Sequence, residues 1–186
     1  MVIRHAEKPA KSNGAAGVRE DGKHDPESLT VRGWQRAGAL AVLFSSDEHT
    51  ARLGLAVPDA VYASASTIRG SSERPEQTID PLVARLRGYR PEFDPVLTHE
   101  KGSERDMVDD VMRRDGAVLI CWQHELIPEI GNAIVGNKWI CPQEWPGDRF
   151  DLVWSFERAD GGKWQFRQVP QLLLAGDRAH AIPLNE

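Results

Sequence analysis

The feature that most restricts the fold is the run "AVLICW" at residues 117–122. Six consecutive apolar residues do not suit a strand with one wet face. They suit a strand covered on both faces, as in a parallel α/β sheet. The run ends at Gln123-His124. Upstream, "PDAVYAS" reads as a second short strand, and "MVI" as a third that breaks directly into Arg4-His5. Helical patterns separate the strands. In "SLTVRGWQRAGALAVLF", Thr30 can cap, and Trp34, Ala37, Leu40, Ala41 and Phe44 share one helical face. "RPEQTIDPLVARLRG" places Pro75 in a first turn, Pro81 as a break or kink and Gly88 as the stop. Ser103 is positioned to cap a helix with Met107, Val108, Val111 and Met112 as its apolar positions. A shorter helix is expected over 128–135, and 92–97 is a candidate strand. "DLVWSFER" and "KWQFRQV" flank a Gly turn and predict a hairpin.

This alternation predicts an α/β fold: three layers, α/β/α, with a mostly parallel central sheet and a C-terminal hairpin. A length of 186 residues suits one domain spanning 1–186, with its core motifs in 1–136 and the hairpin and tail in 150–186. At 40% hydrophobic residues, the chain can build a core without staples. A net charge of −5 argues against a general nucleic-acid or anionic-membrane binder, but not against a small basic pocket. No stretch approaches the roughly 20 apolar residues of a membrane span. Arg4, Glu7 and Lys8 interrupt the apolar start, so no signal peptide is visible and a cytoplasmic location is expected. Because only Met1, Val2 and Ile3 precede Arg4, a true start upstream is left open. Cys121 and Cys141 form no C-x-x-C and are expected to be free thiols, Cys121 buried on its strand. Residues 6–28 read as a long exposed loop, and such loops tend to be functional.

In open α/β sheets, ligands bind beyond the carboxyl ends of the strands. Three expected strands end at Arg4-His5, at a Ser-rich loop leading to Arg74, and at His124-Glu125. If these strands are neighbours, two arginines, two histidines and a helix N-terminus converge. The set suits phosphate chemistry. Guanidinium groups grip phosphate oxygens in a fork. A neutral imidazole can attack phosphorus, and water can hydrolyse the phosphohistidine so formed. A second imidazole can donate to the phosphoryl oxygens. The arginines supply the positive charge, so no metal or other cofactor is called for. The histidines show no i, i+4 pair and no spaced carboxylate set, against a zinc or di-metal hydrolase. No G-x-G-x-x-G or Walker-type loop is present, against a nucleotide-dependent enzyme.

Four blocks in order resemble the histidine phosphatase superfamily, the phosphoglycerate mutase-like proteins. "VIRHAEKP" resembles the strand that ends Arg-His-Gly or Arg-His-Ala. "LTVRGWQRAGALAVLF" resembles the Leu-Thr-x-x-Gly-x-x-Gln-Ala helix. "VYASASTIRGSSERPEQTIDPL" resembles the strand, Ser and Arg-x-x-Gln-Thr block, and "VLICWQHELIP" the strand delivering the second histidine. The resemblance covers about residues 1–136. It implies His5 as nucleophile, with Arg4, Arg74 and His124 binding the phosphoryl group. Arg69, in a longer than usual loop, competes with Arg74, which is preferred because Gln77 and Thr78 follow it at the family spacing. Ala6 stands where Gly is commoner.

No motif marks the proton-donating acid. Glu125 is favoured because it adjoins His124; Glu100 and Glu104 are the alternatives. Among the other histidines, His24 lies in the long loop within potential reach of substrate. The function expected is a metal-independent phosphatase acting on a small phosphomonoester or a phosphoprotein, phosphohistidine included. A non-catalytic phospho-ligand-binding module and a phosphomutase are the other readings. Substrate identity and oligomeric state are not legible.

Overall fold

The computed structural model of the chain describes residues 1–10, 14–66, 72–159 and 161–184. Among them, five strands form one sheet: β1 (Val2–Arg4), β2 (Ala60–Ala63), β3 (Val118–Trp122), β4 (Leu152–Arg158) and β5 (Trp164–Pro170), in the order β2-β3-β1-β4-β5. β3 pairs in parallel with both β2 and β1, whereas β4 is antiparallel to β1 and to β5. The sheet is therefore mixed rather than mostly parallel. The expected hairpin is present, but it also closes the open side of β1, a pairing that carries no local pattern.

Register explains the two cores. Ile3 is level with Cys121 and Val153, and Val2 with Ile120 and Trp154. Successive side chains alternate across a sheet, so these triples face opposite ways. Ile3, Val61, Ala63, Leu119, Cys121 and Val153 pack with α1 (Val31–Phe44) and α3 (Arg74–Arg87). Val2, Tyr62, Ile120, Trp122 and Trp154 pack with α4 (Glu104–Val111) and α5 (Ile127–Val135). Helices thus cover both faces of β3, which accounts for its unbroken apolar sequence. A short α2 (Asp47–Arg52) follows α1.

Thr30 caps α1 as expected, its side chain accepting from the Gly33 N–H at 3.1 Å. Ala37, Leu40, Ala41 and Phe44 are buried on the core face. Gly33 itself is required by packing, since a Cβ there would meet the Glu7 carbonyl at 2.5 Å. Three local expectations are corrected. α3 runs through Pro81 without a break, because Ile79, Leu82, Val83 and Leu86 on either side of it are all buried in one core. Residues 92–97 form no strand; Val96 makes only an isolated bridge to Tyr62. Ser103 does not cap α4 with its side chain, which instead donates to the Glu100 carbonyl.

In the expected loop, residues 14–28 are tied down by isolated bridges between Gly17 and Thr30 and between Val18 and His24. Both cysteines are free and Cys121 is buried, as expected; Cys141 is buried too. Among the described residues no helix is long and apolar enough to cross a membrane.

Candidate active site

The parallel strands β1, β2 and β3 point their carboxyl ends to one edge, where a cleft of about 240 Å³ opens. His5, Ser64, Arg74, Gln123 and Glu125 line it, together with Lys8, Glu100 and Lys101. Of the residues expected from sequence, His5, Arg74 and Glu125 thus share one cleft. Arg4, which is wholly buried, and His124, which is partly buried, are not among the residues that line it. Arg69 lies outside the described residues.

Arg4 is held from one side only. Its Nη1 donates to the carbonyls of Gly147 at 2.8 Å and Arg149 at 3.0 Å, and lies 3.4 Å from that of Pro146. The guanidinium stacks on the Phe150 ring at 3.8 Å. Its Nε and Nη2 are buried without partners. Burial lowers the Arg4 pKa to about 10, which leaves it charged at neutral pH. Unpaired buried donors on a charged group are costly unless an anion completes them.

His5 is 2% exposed. Its Nδ1 lies 2.8 Å from the Ala6 carbonyl. A carbonyl only accepts, so Nδ1 carries the proton and Nε2 keeps its lone pair. Burial, reinforced by the Arg4 charge, lowers the ring pKa to about 3. The same two causes lower His124 to about 4. His124 Nδ1 is 2.8 Å from Glu125 Oε2, yet lacks the alignment of a hydrogen bond. Both rings are neutral at pH 7.

Arg74 opens α3. Its Nη2 donates to the Pro26 carbonyl at 2.7 Å and to Glu27 at 3.1 Å, its Nη1 to Ser72 at 3.1 Å, and its Nε is buried and unpartnered. Gln77 and Thr78 fix that helix to the other motifs. Gln77 accepts from the Leu29 N–H and donates to Ser28, both at 2.9 Å. Thr78 accepts from the Ala6 N–H at 2.9 Å and donates to the Arg74 carbonyl at 2.7 Å. The Gln-Thr pair therefore sets the distance between the His5 and Arg74 segments.

The three acids separate. Glu125 is ion-paired with Lys101. Burial pushes its carboxyl up, but the Lys101 hydrogen bond and charge outweigh this and hold it at about 2. Glu100 also lines the cleft. Glu104 is only 3% exposed and serves the interior, accepting from Trp122 Nε1 and the Gly102 N–H at 2.9 Å each. Lys8 and Lys101 were not singled out from sequence; as lone lysines in polar loops they carry no motif. Among the described residues no group of three or more His, Cys, Asp and Glu is placed to hold a metal ion.

A stability prediction follows from the histidines. The unfolded chain binds protons below about pH 6.5, while the folded rings resist them down to about 3 and 4. The depressed pKa values therefore contribute stability that is present above about pH 6.5 and lost as pH falls toward the folded values, at about 1.4 kcal/mol per pH unit for each ring. Chemical unfolding of His5→Ala should show a slope between about pH 6.5 and 4.5 that is shallower by one such increment. An unchanged slope would mean that His5 is not held neutral.

No protein-family model matches the sequence, and no curated protein matches it. The fold is similar to that of the phosphoserine phosphatase from Entamoeba histolytica, solved in complex with 3-phosphoglyceric acid. The TM-score is 0.55 at 11% identity, over 91% of this chain and 94% of that one. A proposed alpha-ribazole-5′-P phosphatase from Escherichia coli superposes with a TM-score of 0.49 at 13% identity, over 91% and 94%. At 11% identity the likeness to the Entamoeba protein is one of fold. The fold implied by the resemblance to histidine phosphatases is the fold the chain adopts.

Proposed function

We propose that the cleft is the site of a phosphatase of the histidine phosphatase type, hydrolysing a phosphomonoester or a phosphohistidine. The observation that carries this reading is the pairing of Arg4 with His5. One is a buried guanidinium with its Nε and Nη2 donors unpartnered; the other is a neutral imidazole whose Nδ1 proton is committed to a carbonyl. Together they offer fixed positive charge and a free Nε2 lone pair to an incoming phosphoryl group.

In the first step His5 Nε2 attacks phosphorus and the ester oxygen leaves. Arg4, Arg74 and His124 hold the phosphoryl oxygens as charge moves between them. In the second step water attacks the phosphohistidine, phosphate leaves, and His5 recovers its lone pair. Glu125 handles the protons. While Lys101 holds it ionised it is a base, suited to take the proton of the attacking water. A phosphoryl dianion that draws Lys101 toward itself removes that partner and adds negative charge, and both changes raise the Glu125 pKa toward that of a donor. Glu100, on the same cleft, is the alternative donor. A small phosphorylated substrate accords with the 3-phosphoglyceric acid held by the Entamoeba structure.

The purified protein should release phosphate from a generic aryl phosphate in the presence of a metal chelator. Turnover that vanishes with the chelator and returns with zinc or magnesium would overturn the metal-independent mechanism.

A further inference from the structure

Arg4 is oriented by a loop, and one side chain ties that loop down. Residues 136–151, between α5 and β4, form no helix or strand. Yet the carbonyls around Arg4 Nη1 all come from one turn in it, 146–149, closed by the Arg149 N–H on the Pro146 carbonyl at 3.0 Å. The Arg149 carbonyl is used twice, accepting from Arg4 Nη1 at 3.0 Å and from the Trp145 indole at 2.9 Å. The Arg149 side chain is buried as well. Its Nε donates to Asp151 and its Nη2 to the His180 carbonyl, each at 2.8 Å. The second Asp151 oxygen accepts from the Arg178 N–H at 2.7 Å. One guanidinium thus ties the turn that seats Arg4 to the C-terminal tail. A buried ion pair is a poor source of stability, because desolvating both charges offsets their attraction. What an arginine fork adds is geometry, since its donors hold two partners at a fixed angle.

We infer that Arg149 is a positioning residue: it fixes the seat of Arg4, and with it the orientation of the guanidinium whose Nε and Nη2 stay unpartnered. For its effect on ligands the inference rests on the phosphoryl-binding reading. The coupling needs no long path. Arg149 supplies an acceptor of Arg4 from its own backbone, and the next residue, Phe150, supplies the ring on which Arg4 stacks at 3.8 Å. The same ring stands 6.3 Å from that of His5. A shift of the Arg149 side chain therefore moves an acceptor and a stacking face of Arg4 together. Hydrogen bonds weaken steeply with misalignment. An Arg4 tilted in its seat would aim its free donors out of line with the phosphoryl oxygens.

The test uses the full chain, first empty and then with inorganic phosphate as the probe. In the empty protein, the Arg4 Nε–H signal in a proton–nitrogen correlation spectrum is identified by its loss in Arg4→Met. It should shift or broaden in Arg149→Lys, which keeps a charge opposite Asp151 but cannot also hold the His180 carbonyl. Calorimetry should show phosphate binding about 10-fold weaker in Arg149→Met than in the parent, as loss of one aligned charge-assisted contact gives. In an Arg4→Met background the same substitution should weaken binding by less than about two-fold, because Arg149 acts through Arg4. Arg149→Lys makes the same comparison if Arg149→Met does not fold. An unmoved Arg4 signal would overturn the proposal. So would equal losses in the two backgrounds, which would make Arg149 a support of the fold as a whole. Phosphate binding that is absent, or indifferent to Arg4→Met, beside an Arg4 signal that moves would sink the phosphoryl-binding reading and keep the positioning role. Binding that depends on Arg4 but not on Arg149 would do the reverse.

Discussion

Replacing His5 with alanine should lower phosphate release by at least ~10³-fold, because the change removes the atom that forms the covalent bond rather than a contact that tunes it. The neighbours of His5 make the result readable. The Ala6 N–H is held by Thr78 and the Arg4 side chain by the loop carbonyls at 146, 147 and 149, none of which depends on the imidazole. The fold should therefore survive, and at neutral pH the variant should retain phosphate binding through its arginines. Rapid quenching of the unaltered protein with labelled substrate should trap an acid-labile, alkali-stable phosphoenzyme, with the label on His5. Label on any other residue would refute the assignment. So would a His5→Ala protein that turns over within ten-fold of the parent.

The residues legible in the sequence are those whose role follows from a strand end or a helix start. Arg4, His5 and His124 directly follow or close buried strands, and Arg74 opens a helix. In a parallel sheet those positions come together whatever the connecting loops do. Gln77 and Thr78 were legible as spacing. The structure adds the physical reason, since their hydrogen bonds join the segments that carry His5 and Arg74.

What the sequence hid depends on contacts distant along the chain. Nothing near Val153 says that it will lie beside Ile3, so the antiparallel closure of β1 is not legible and the sequence pattern points to a mostly parallel sheet. The seat of Arg4 is built from carbonyls 142 to 145 residues away, in a loop with no pattern of its own. Side-chain identity also misleads where burial reverses its usual meaning. Pro81 signals a break locally, yet the core on both sides keeps the helix whole. Adjacency to His124 marks Glu125 as the proton donor in the sequence. The Lys101 partner that holds it ionised comes from a separate loop, 24 residues away.

Arg36 is the strongest case of a hidden residue, and its loss should have the largest effect on stability. In sequence it is one arginine on an amphipathic helix. In the fold it is 2% exposed and surrounded by acceptors. Its Nε lies 3.0 Å from both Glu7 carboxylate oxygens, its Nη2 is 2.8 Å from Glu7 and 2.7 Å from Asp177, and its Nη1 reaches Gln171 at 2.9 Å. One guanidinium thus ties the loop that follows His5 to α1 and to the C-terminal tail. Its partners hold its pKa above the ordinary arginine value despite burial. In Arg36→Met, the Glu7 and Asp177 carboxylates stay mostly buried and lose their buried cation, keeping only the half-exposed Arg32 at 3.2 and 3.7 Å. Breaking a buried pair this way costs about 3–5 kcal/mol. For a chain of this size that corresponds to a fall in Tm of roughly 6–20 °C. Arg36→Lys should recover little, because a single ammonium cannot span three partners set around a planar fork. Arg32→Met, at the exposed margin of the same cluster, should cost under about 1 kcal/mol. Adding Asp177→Asn to Arg36→Met should then destabilise far less than Asp177→Asn does alone, since the charge it removes has already lost its buried partner. Thermal and chemical unfolding of the five variants checks this. An Arg36→Met protein that melts within about 2 °C of its parent, or additive effects for Arg36→Met and Asp177→Asn, would show that the tail is held by other contacts.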